Sequence, residues 1–303
     1  MSVFKSHGKL LLTGEYLVLD GAKALAVPTK FGQTLKFKEE ESGVLKWRSY
    51  DEQNTLWFEA TFKIQDSEVA TLKSSDIKVS QRLETILNST LKLNSEWLQE
   101  TKGYNIETYL DFNLYWGLGT SSTLINNLAS SAGVDPYTLL KMTFGGSGYD
   151  IACAKASGPI TFQLGSPYPK VAEVSFNPDF KDKLYFVYLN KKQNSRDGIQ
   201  HYKNQKPINS AVFSDVNTIT EAMISCKTLN DFESLLESHE SLISKIIKQD
   251  PIQKSFSEYH GKLKSLGAWG GDFILATSEI DPRAYFKSKG LDTVIPYVEM
   301  VLK

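Results

Sequence analysis

A short loop rich in glycine and hydroxyl residues, at residues 117–122, is the strongest candidate for chemistry in this sequence. It reads Gly-Leu-Gly-Thr-Ser-Ser and precedes a helical pattern. Glycine lets the backbone approach a phosphate closely, and the N–H groups at a helix N-terminus attract an anion. The same loop also suits a tight strand-to-helix turn with no ligand. It is neither a Walker A sequence nor a dinucleotide fingerprint, because the required lysine and third glycine are missing.

The elements that hold this loop are predicted by hydrophobic periodicity. Apolar and β-branched residues alternate with mostly polar neighbours over residues 106–114, which is typical of a half-buried strand. After the loop, apolar residues recur at helical spacing over residues 124–132, and Gly133 supplies a stop signal. The sequence therefore predicts a strand, a glycine loop and a helix in succession.

Two more glycine clusters lie at the ends of predicted elements. Residues 145–150 follow a helix that Asp135 caps and Pro136 begins, and they lead into a short helix of small residues. Residues 267–271 form a turn before an apolar strand at Phe273–Thr277.

A change in composition predicts a domain boundary in the middle of the chain. Residues 165–182 contain three prolines and little periodicity, and a new apolar strand begins at Leu184. An apolar stripe at helical spacing then covers residues 232–247. We therefore expect one domain at residues 1–170 and a second at residues 171–303.

The N-terminal part of the chain is predicted to be an antiparallel β structure. Short apolar or alternating runs occur at residues 10–12, 16–19 and 35–37. Gly14 and the Asp20-Gly21 pair separate them as turn signals.

Composition narrows the class of protein. The 303 residues carry a formal net charge of -1 and no long basic stretch, which argues against nucleic acid as a partner. The first twelve residues have too short an apolar run for a signal peptide, and no segment approaches the roughly 20 apolar residues that cross a bilayer. We expect a cytoplasmic protein that does not enter membranes.

Three segments in order resemble the signature motifs of the GHMP kinases, the superfamily named for galactokinase, homoserine kinase, mevalonate kinase and phosphomevalonate kinase. Residues 8–19, with Gly-Glu-Tyr at 14–16, resemble the first motif in its phosphomevalonate kinase form. Residues 117–122 resemble the second motif, the phosphate loop, and residues 266–272 resemble the third. Residues 146–150 look like the segment with the catalytic aspartate of the family.

This resemblance implies an α+β fold with an N-terminal nucleotide-binding domain, built of a mixed sheet and helices, and a C-terminal ferredoxin-like α/β sandwich. It implies ATP and Mg²⁺ as cofactors and a hydroxyl of Ser121 near the metal. Lys9 and Asp150 match the catalytic pair: the aspartate accepts the substrate proton while the lysine favours the developing charge. The nucleotide contacts implied by the second motif are Gly117, Leu118, Gly119, Thr120, Ser121 and Ser122.

The implied acceptor is a small anionic metabolite, with mevalonate and phosphomevalonate as the leading choices. The residues expected to contact it are Glu15, Tyr16, Ser147, Ser195, Arg196, Gly270 and Gly271. In the segment 191–197, Lys191, Lys192 and Arg196 stand close to Ser195. Lysine and arginine beside a hydroxyl suit a carboxylate or phosphate, although a solvated basic loop has the same composition. We expect a monomer or a homodimer.

Several positions depart from the family pattern. His7 stands where the family usually has proline, and Thr120 and Ser122 replace serine and alanine. Mevalonate kinase uses a glutamate eleven residues before its aspartate, and the corresponding position is Leu139. Trp269 interrupts a run of very small residues, where it either narrows the acceptor pocket or serves as a packing residue. Leu139 and Trp269 keep open the alternative of a degenerate GHMP protein that binds nucleotide or a partner without catalysis. A third possibility is a diphosphomevalonate decarboxylase, a lyase on the same fold that also consumes ATP.

Overall fold

The computed structural model describes residues 1–205 and 207–303. They divide into two compact units whose segments alternate along the chain. The first unit comprises Met1–Gly8, Phe31–Leu114 and Gly119–Lys155, and the second comprises Lys9–Lys30, Tyr115–Leu118 and Ala156–Lys303. The domain boundary near residue 170 stays a prediction.

Strands and helices are distributed over both units. The strands are β1 (Ser2–Leu11), β2 (Ala24–Glu40), β3 (Leu45–Tyr50), β4 (Leu56–Gln65), β5 (Glu68–Ser74), β6 (Gly103–Leu110), β7 (Ile160–Gln163), β8 (Lys170–Glu173), β9 (Leu184–Tyr188), β10 (Leu263–Ser265), β11 (Phe273–Thr277) and β12 (Val294–Pro296). The α-helices are α1 (Ile77–Leu93), α2 (Thr120–Ala132), α3 (Pro136–Thr143), α4 (Tyr149–Lys155), α5 (Ser195–Lys203), α6 (Ala211–Ser225), α7 (Leu229–Ile247), α8 (Arg283–Ser288) and α9 (Tyr297–Met300). Short 3-10 helices cover Leu17–Asp20, Lys181–Lys183 and Ile252–Phe256.

The first unit is a mixed sheet covered by helices. Its strands lie in the order β5-β4-β3-β6-β2, and β3 is parallel to β6 while the other neighbours are antiparallel. Apolar residues on alternate positions of the strands, such as Trp47 and Phe58, pack in one core with Leu87 of α1 and Ile125 and Leu128 of α2. This core fixes the start of α2, which follows the glycine loop.

The second unit contains a four-stranded antiparallel sheet in the order β10-β11-β9-β12. All five residues of β11 are buried, as expected for the central part of a sheet covered on both faces. The predicted apolar stripe becomes α7, whose buried residues include Phe232, Leu236, Ile243 and Ile247. The α+β class predicted from the sequence is confirmed.

Several local predictions around the glycine loop are confirmed. Strand β6 precedes the loop but ends at Leu110, before the predicted end at residue 114, and α2 follows the loop. Gly133 ends α2 in the left-handed conformation. Asp135 caps α3 by accepting a hydrogen bond from the Thr138 N–H. Within the described ranges on either side of residue 206, no helix has the length and apolar character needed to cross a membrane.

The strand predicted at residues 16–19 is wrong. The chain there forms the 3-10 helix Leu17–Asp20. Positive φ angles at Gly14, Tyr16 and Gly21, of 84°, 62° and 95°, turn the backbone out of the extended conformation. A short apolar run carries no period that could distinguish a buried turn from a strand.

Candidate functional site

Lys9, on β1, is fixed to the turn that enters the glycine loop, within the second unit. Its backbone N–H donates to the Leu118 carbonyl at 2.9 Å, and its ammonium donates to the Gly117 carbonyl at 3.1 Å. The side chain is half-buried. The structure therefore brings together three residues that the sequence predicted for the site: Lys9, Gly117 and Leu118.

Gly117 has no room for a side chain. Its φ is 69°, and a β-carbon on it would lie 2.4 Å from the carboxylate of Asp272. Asp272 belongs to the third glycine cluster and is 8% exposed. Only glycine combines the left-handed conformation with this contact, so the turn and Asp272 pack directly on each other.

Asp272 also ties the third glycine cluster to the segment after β9. Its N–H donates to the Lys191 carbonyl at 2.7 Å, and its carbonyl accepts the Leu189 N–H at 2.9 Å. One carboxylate oxygen accepts the Gln193 N–H at 3.1 Å. Gly271 lies in the same place, since a β-carbon on it would be 2.6 Å from the Lys191 carbonyl oxygen. Gly270 precedes it with a φ of 88°.

Lys192 brings a second ammonium group to this part of the second unit. Its Nζ lies 3.8 Å from Oδ1 of Asp272. Burial lowers the pKa of Lys192, the charge of Asp272 opposes that shift, and the positive charge of Lys9 adds to it. The two lysines are therefore close enough to influence each other electrostatically.

The second half of the glycine loop belongs to the first unit and begins α2. Gly119 caps the helix in the left-handed conformation, with φ 96°, and no side-chain cap bond forms among the described residues. The buried Ser122 hydroxyl donates to the Gly119 carbonyl at 2.8 Å, whereas Ser121 is exposed and Thr120 is half-buried. This helix start fits a phosphate group, and the Ser121 hydroxyl is accessible to a metal ion bound to it.

A buried polar network holds α2 in register with β1 and β2 in the first unit. The Ser6 hydroxyl donates to the Asn127 side chain at 2.7 Å and accepts from Asn126 at 2.8 Å. Asn127 in turn donates to the Gln33 carbonyl at 2.9 Å, and Thr123 donates to the Gln33 side chain at 2.9 Å. Because these bonds are directional, they fix the helix start more narrowly than apolar contacts alone would.

Asp150 lies in the first turn of α4 in the first unit. It is half-buried, and its Oδ1 accepts the Ile151 N–H at 3.1 Å. The preceding Gly148 has φ 88°, and a β-carbon on it would lie 3.0 Å from the Tyr137 ring. Burial first, then nearby negative charges that include Asp150, raise the pKa of Tyr137 to about 12. Ser147 is half-buried and its Oγ lies 3.5 Å from the Tyr149 N–H.

Glu15 lies in the interior of the second unit. It is 1% exposed and pairs with the buried Lys264 ammonium. His239, 0% exposed, accepts the Gly14 N–H at 2.9 Å and lies 3.4 Å from Glu15. This arrangement fixes the turn after β1, and direct contact of Glu15 with a substrate stays a prediction.

Tyr16 and Trp269 connect the first and third glycine motifs inside the second unit. The Tyr16 hydroxyl accepts the Trp269 backbone N–H at 3.1 Å, and its ring stacks on Tyr202 with centroids 5.6 Å apart. Trp269 is 2% exposed and belongs to the same hydrophobic cluster as Tyr16 and Tyr202. Trp269 is thus a packing residue in this structure.

Ser195 and Arg196 lie at the exposed start of α5. The Asn194 side chain caps this helix by accepting the Arg196 N–H at 3.1 Å. Both residues follow directly after the segment that contacts Asp272. Their predicted contact with the acceptor stays a prediction.

Leu139 is a core residue of α3. It is 0% exposed and packs in the hydrophobic core of the first unit. Within residues 1–205 and 207–303, no group of three or more His, Cys, Asp or Glu side chains is arranged to hold a metal.

Sequence reasoning missed three residues that position the site: Asp272, Lys192 and His239. Both Asp272 and Lys192 lie within segments that the sequence singled out. The basic segment 191–197 is expected to suit an anion, but neither Lys192 nor Asp272 is among the predicted site residues. His239 gave no signal, because its partner Gly14 is 225 positions away in the chain.

The buried groups near Glu15 have opposite pKa shifts. Burial raises the pKa of the Glu240 carboxyl to about 7, against an opposing effect of Lys264. Burial and the charge of Lys264 hold the pKa of His239 well below its usual value. A raised carboxyl pKa stabilises the fold at low pH, and this contribution is lost as pH rises towards 7. A lowered histidine pKa has the reverse effect, since its contribution is lost as pH falls below about 6.5.

Single variants should reveal these opposing slopes. As pH falls from 7 to 5, the advantage of the wild type over Glu240→Gln in unfolding free energy should grow, by up to about 1.4 kcal/mol per pH unit. The advantage over His239→Gln should shrink over the same range. Urea unfolding at pH 5, 6 and 7 measures both differences, and each variant is the control for the other. Differences that change in parallel would contradict the assignment of the two shifts.

Comparison with known proteins identifies the fold. No family model and no curated protein sequence matches the chain. The mevalonate kinase of Methanococcus jannaschii is similar in structure, with a TM-score of 0.70 and 14% identity over 100% of this chain and 98% of that one. The chain has the GHMP kinase fold.

Two other solved kinases with different substrates are also similar to this chain in structure. The Streptococcus pneumoniae phosphomevalonate kinase in complex with phosphomevalonate and AMPPNP gives a TM-score of 0.67 and 15% identity, over 100% of this chain and 98% of that one. The Lactococcus lactis galactokinase complexed with galactose gives a TM-score of 0.61 and 13% identity, over 94% of this chain and 87% of that one. Because these kinases have different substrates, the likeness defines the fold and no single substrate.

Proposed function

We propose that this protein is an ATP-dependent small-molecule kinase that transfers the γ-phosphoryl group of ATP to mevalonate or phosphomevalonate. The observation that carries the proposal is the Lys9 ammonium held on the Gly117 carbonyl, at the entrance of a glycine loop with open helix N–H groups. Phosphoryl transfer depends on alignment and neutralisation of charge, and a fixed cation and a glycine loop that can bind phosphate are suited to these two tasks.

In the proposed reaction, the acceptor oxygen forms a bond to the γ-phosphorus as the bond from that phosphorus to the ADP oxygen breaks. With a hydroxyl acceptor, the proton passes to the Asp150 carboxylate, and ADP leaves with the bridging electron pair. Lys9 stabilises the charge that develops on the transferred group. Gly117 to Ser122 hold the phosphates through backbone N–H groups and hydroxyls.

The residues of the glycine loop fit a nucleotide phosphate and its metal ion. The start of α2 has no side-chain cap among the described residues, so its first N–H groups are available to an anion. Ser121 is the exposed hydroxyl that would hold Mg²⁺. When bound, Mg²⁺ supplies neutralisation of phosphate charge. The apolar Leu139 gives no ligand, so the metal would depend more on the nucleotide than in mevalonate kinase.

The acceptor is proposed from the motif resemblance and from local chemistry. Ser147, Ser195, Arg196, Gly270 and Gly271 are proposed to line its binding site. Glu15 and Tyr16 are proposed to act indirectly, because their side chains are buried where they hold the turn after β1.

A screen for ATP consumption tests the proposal. Purified protein is incubated with Mg·ATP and, in turn, mevalonate, phosphomevalonate, diphosphomevalonate, homoserine and galactose, and both ADP and carbon dioxide are measured. ADP formation that depends on mevalonate or phosphomevalonate is expected. Turnover with homoserine or galactose alone would move the acceptor to another class. Binding of Mg·ATP without turnover would indicate a non-catalytic protein, and carbon dioxide release from diphosphomevalonate would indicate the decarboxylase.

A further inference from the structure

Lys192 is a cationic side chain with no role in the transfer described so far. Its side chain is 46% exposed, which leaves the ammonium accessible to a ligand. It lies within electrostatic range of Lys9, in the same unit. A second ammonium that interacts electrostatically with the proposed catalytic lysine is a candidate contact for an anion.

The contact between Lys192 and Asp272 leaves N–H donors of the lysine for another partner. Its Nζ lies 3.8 Å from Oδ1 of Asp272, which is beyond a direct hydrogen bond. That oxygen already accepts the Gln193 N–H at 3.1 Å, and the carboxylate packs on Gly117. An ammonium has three N–H donors, and a single long contact with Asp272 leaves donors of Lys192 for a ligand.

The electrostatics of this cluster favour a bound anion. Burial and the Lys9 charge both disfavour the protonated form of Lys192, and Asp272 only opposes them. An anionic group near the two ammonium groups would stabilise both in their charged forms. Binding of a phosphate or carboxylate therefore stabilises the protonated form of both Lys9 and Lys192.

We propose that Lys192 binds an anionic oxygen of a phosphate or carboxylate group during phosphoryl transfer, and that Asp272 is the positioning residue that holds this lysine at the Gly117 turn. The inference rests on the proposed function and adds a specificity determinant to it. The anionic oxygen belongs either to the acceptor or to the terminal phosphate of the nucleotide. These two sources share one chemistry and are separated by experiment.

The test compares variants of two adjacent lysines. Lys192→Ala should raise the KM for phosphomevalonate or mevalonate, or the Kd for Mg·ATP, by about tenfold to a hundredfold, the usual effect of a charged hydrogen bond. Lys192→Arg should retain most of the affinity because it keeps the charge. Lys191→Ala is the matched control: it removes the same charge from an exposed side chain in the same segment and should change each constant by less than about threefold.

Asp272→Asn tests the positioning role separately. Asparagine fills the same space and can still accept the Gln193 N–H, but it loses the charge that attracts Lys192. It should weaken the same constant as Lys192→Ala, to a smaller extent. In the double variant the losses should not add, because both changes remove one interaction. Additive losses would show that Asp272 acts independently of Lys192 and would overturn this part of the inference.

Steady-state rates and calorimetry distinguish the outcomes. A change confined to the acceptor constant assigns the anion to the acceptor, and a change confined to the Mg·ATP constant assigns it to the nucleotide. If Lys192→Ala behaves like Lys191→Ala while the wild type turns over, the inference is wrong and the proposed function stands. If the wild type forms no ADP, the proposed function fails, and the calorimetric constants for Mg·ATP and phosphomevalonate still test the anion contact. A wild type that binds neither probe overturns both.

Discussion

Lys9→Ala is expected to lower kcat by about a hundredfold to a thousandfold, the range seen when one preorganised electrostatic contact to a transition state is removed. The ammonium is already fixed by its 3.1 Å bond to the Gly117 carbonyl, so it needs little reorganisation to act on the phosphoryl group. Alanine removes the charge and the bond to the turn together. A coupled assay for ADP with the best acceptor from the screen measures the loss.

A matched control for Lys9 lies on the same strand. Lys5 is an exposed lysine of β1, and Lys5→Ala should leave kcat within about twofold of the wild type. Circular dichroism and thermal unfolding of both variants separate a catalytic effect from a folding defect. If folded Lys9→Ala keeps more than half of the wild-type kcat, the role assigned to Lys9 is incorrect.

Asp150→Asn should have an effect that depends on the acceptor. A hydroxyl must lose its proton during transfer, whereas a phosphate acceptor is already ionised at neutral pH. With mevalonate, kcat should fall by about a hundredfold to ten thousandfold, the usual contribution of a general base. With phosphomevalonate, the change should stay below about tenfold. Parallel assays with the two acceptors, each at saturating Mg·ATP, give the comparison.

Asp66→Asn provides the control for this prediction. Asp66 is exposed in the turn between β4 and β5, and asparagine tolerates its φ of 53°. This variant should behave as the wild type with both acceptors. Equal losses for mevalonate and phosphomevalonate in Asp150→Asn would mean that the carboxylate holds the site in shape and does not accept a proton.

Local patterns predicted the elements around the site well. Three of these patterns are local in the sequence: the alternation in β6, the helical spacing of α2 and the stop at Gly133. For the same reason, the sequence was enough to predict the Asp135 cap of α3 and the strand β11. Each of these features depends on residues that are neighbours in the sequence, and it can therefore be predicted from the sequence alone.

The environment of individual side chains could not be predicted in this way. The burial of Glu15 and its pairing with Lys264 were not visible in the sequence, because Lys264 is 249 positions away in the chain. The packing of Asp272 on Gly117 and of His239 on Gly14 also joins distant segments. Burial and pairing between residues so far apart in the sequence arise only when the chain folds. Local periodicity therefore does not predict them.

The missing β-carbon at Gly117 has a consequence for how this protein and its relatives can evolve. The Asp272 carboxylate occupies the space that any larger residue at 117 would need, 2.4 Å from the ideal atom position. Substitutions at the two positions are therefore coupled, and a side chain at 117 becomes tolerable only after the acidic group at 272 has been lost. Homologous sequences should accordingly show co-variation between these positions, even where the rest of the loop diverges.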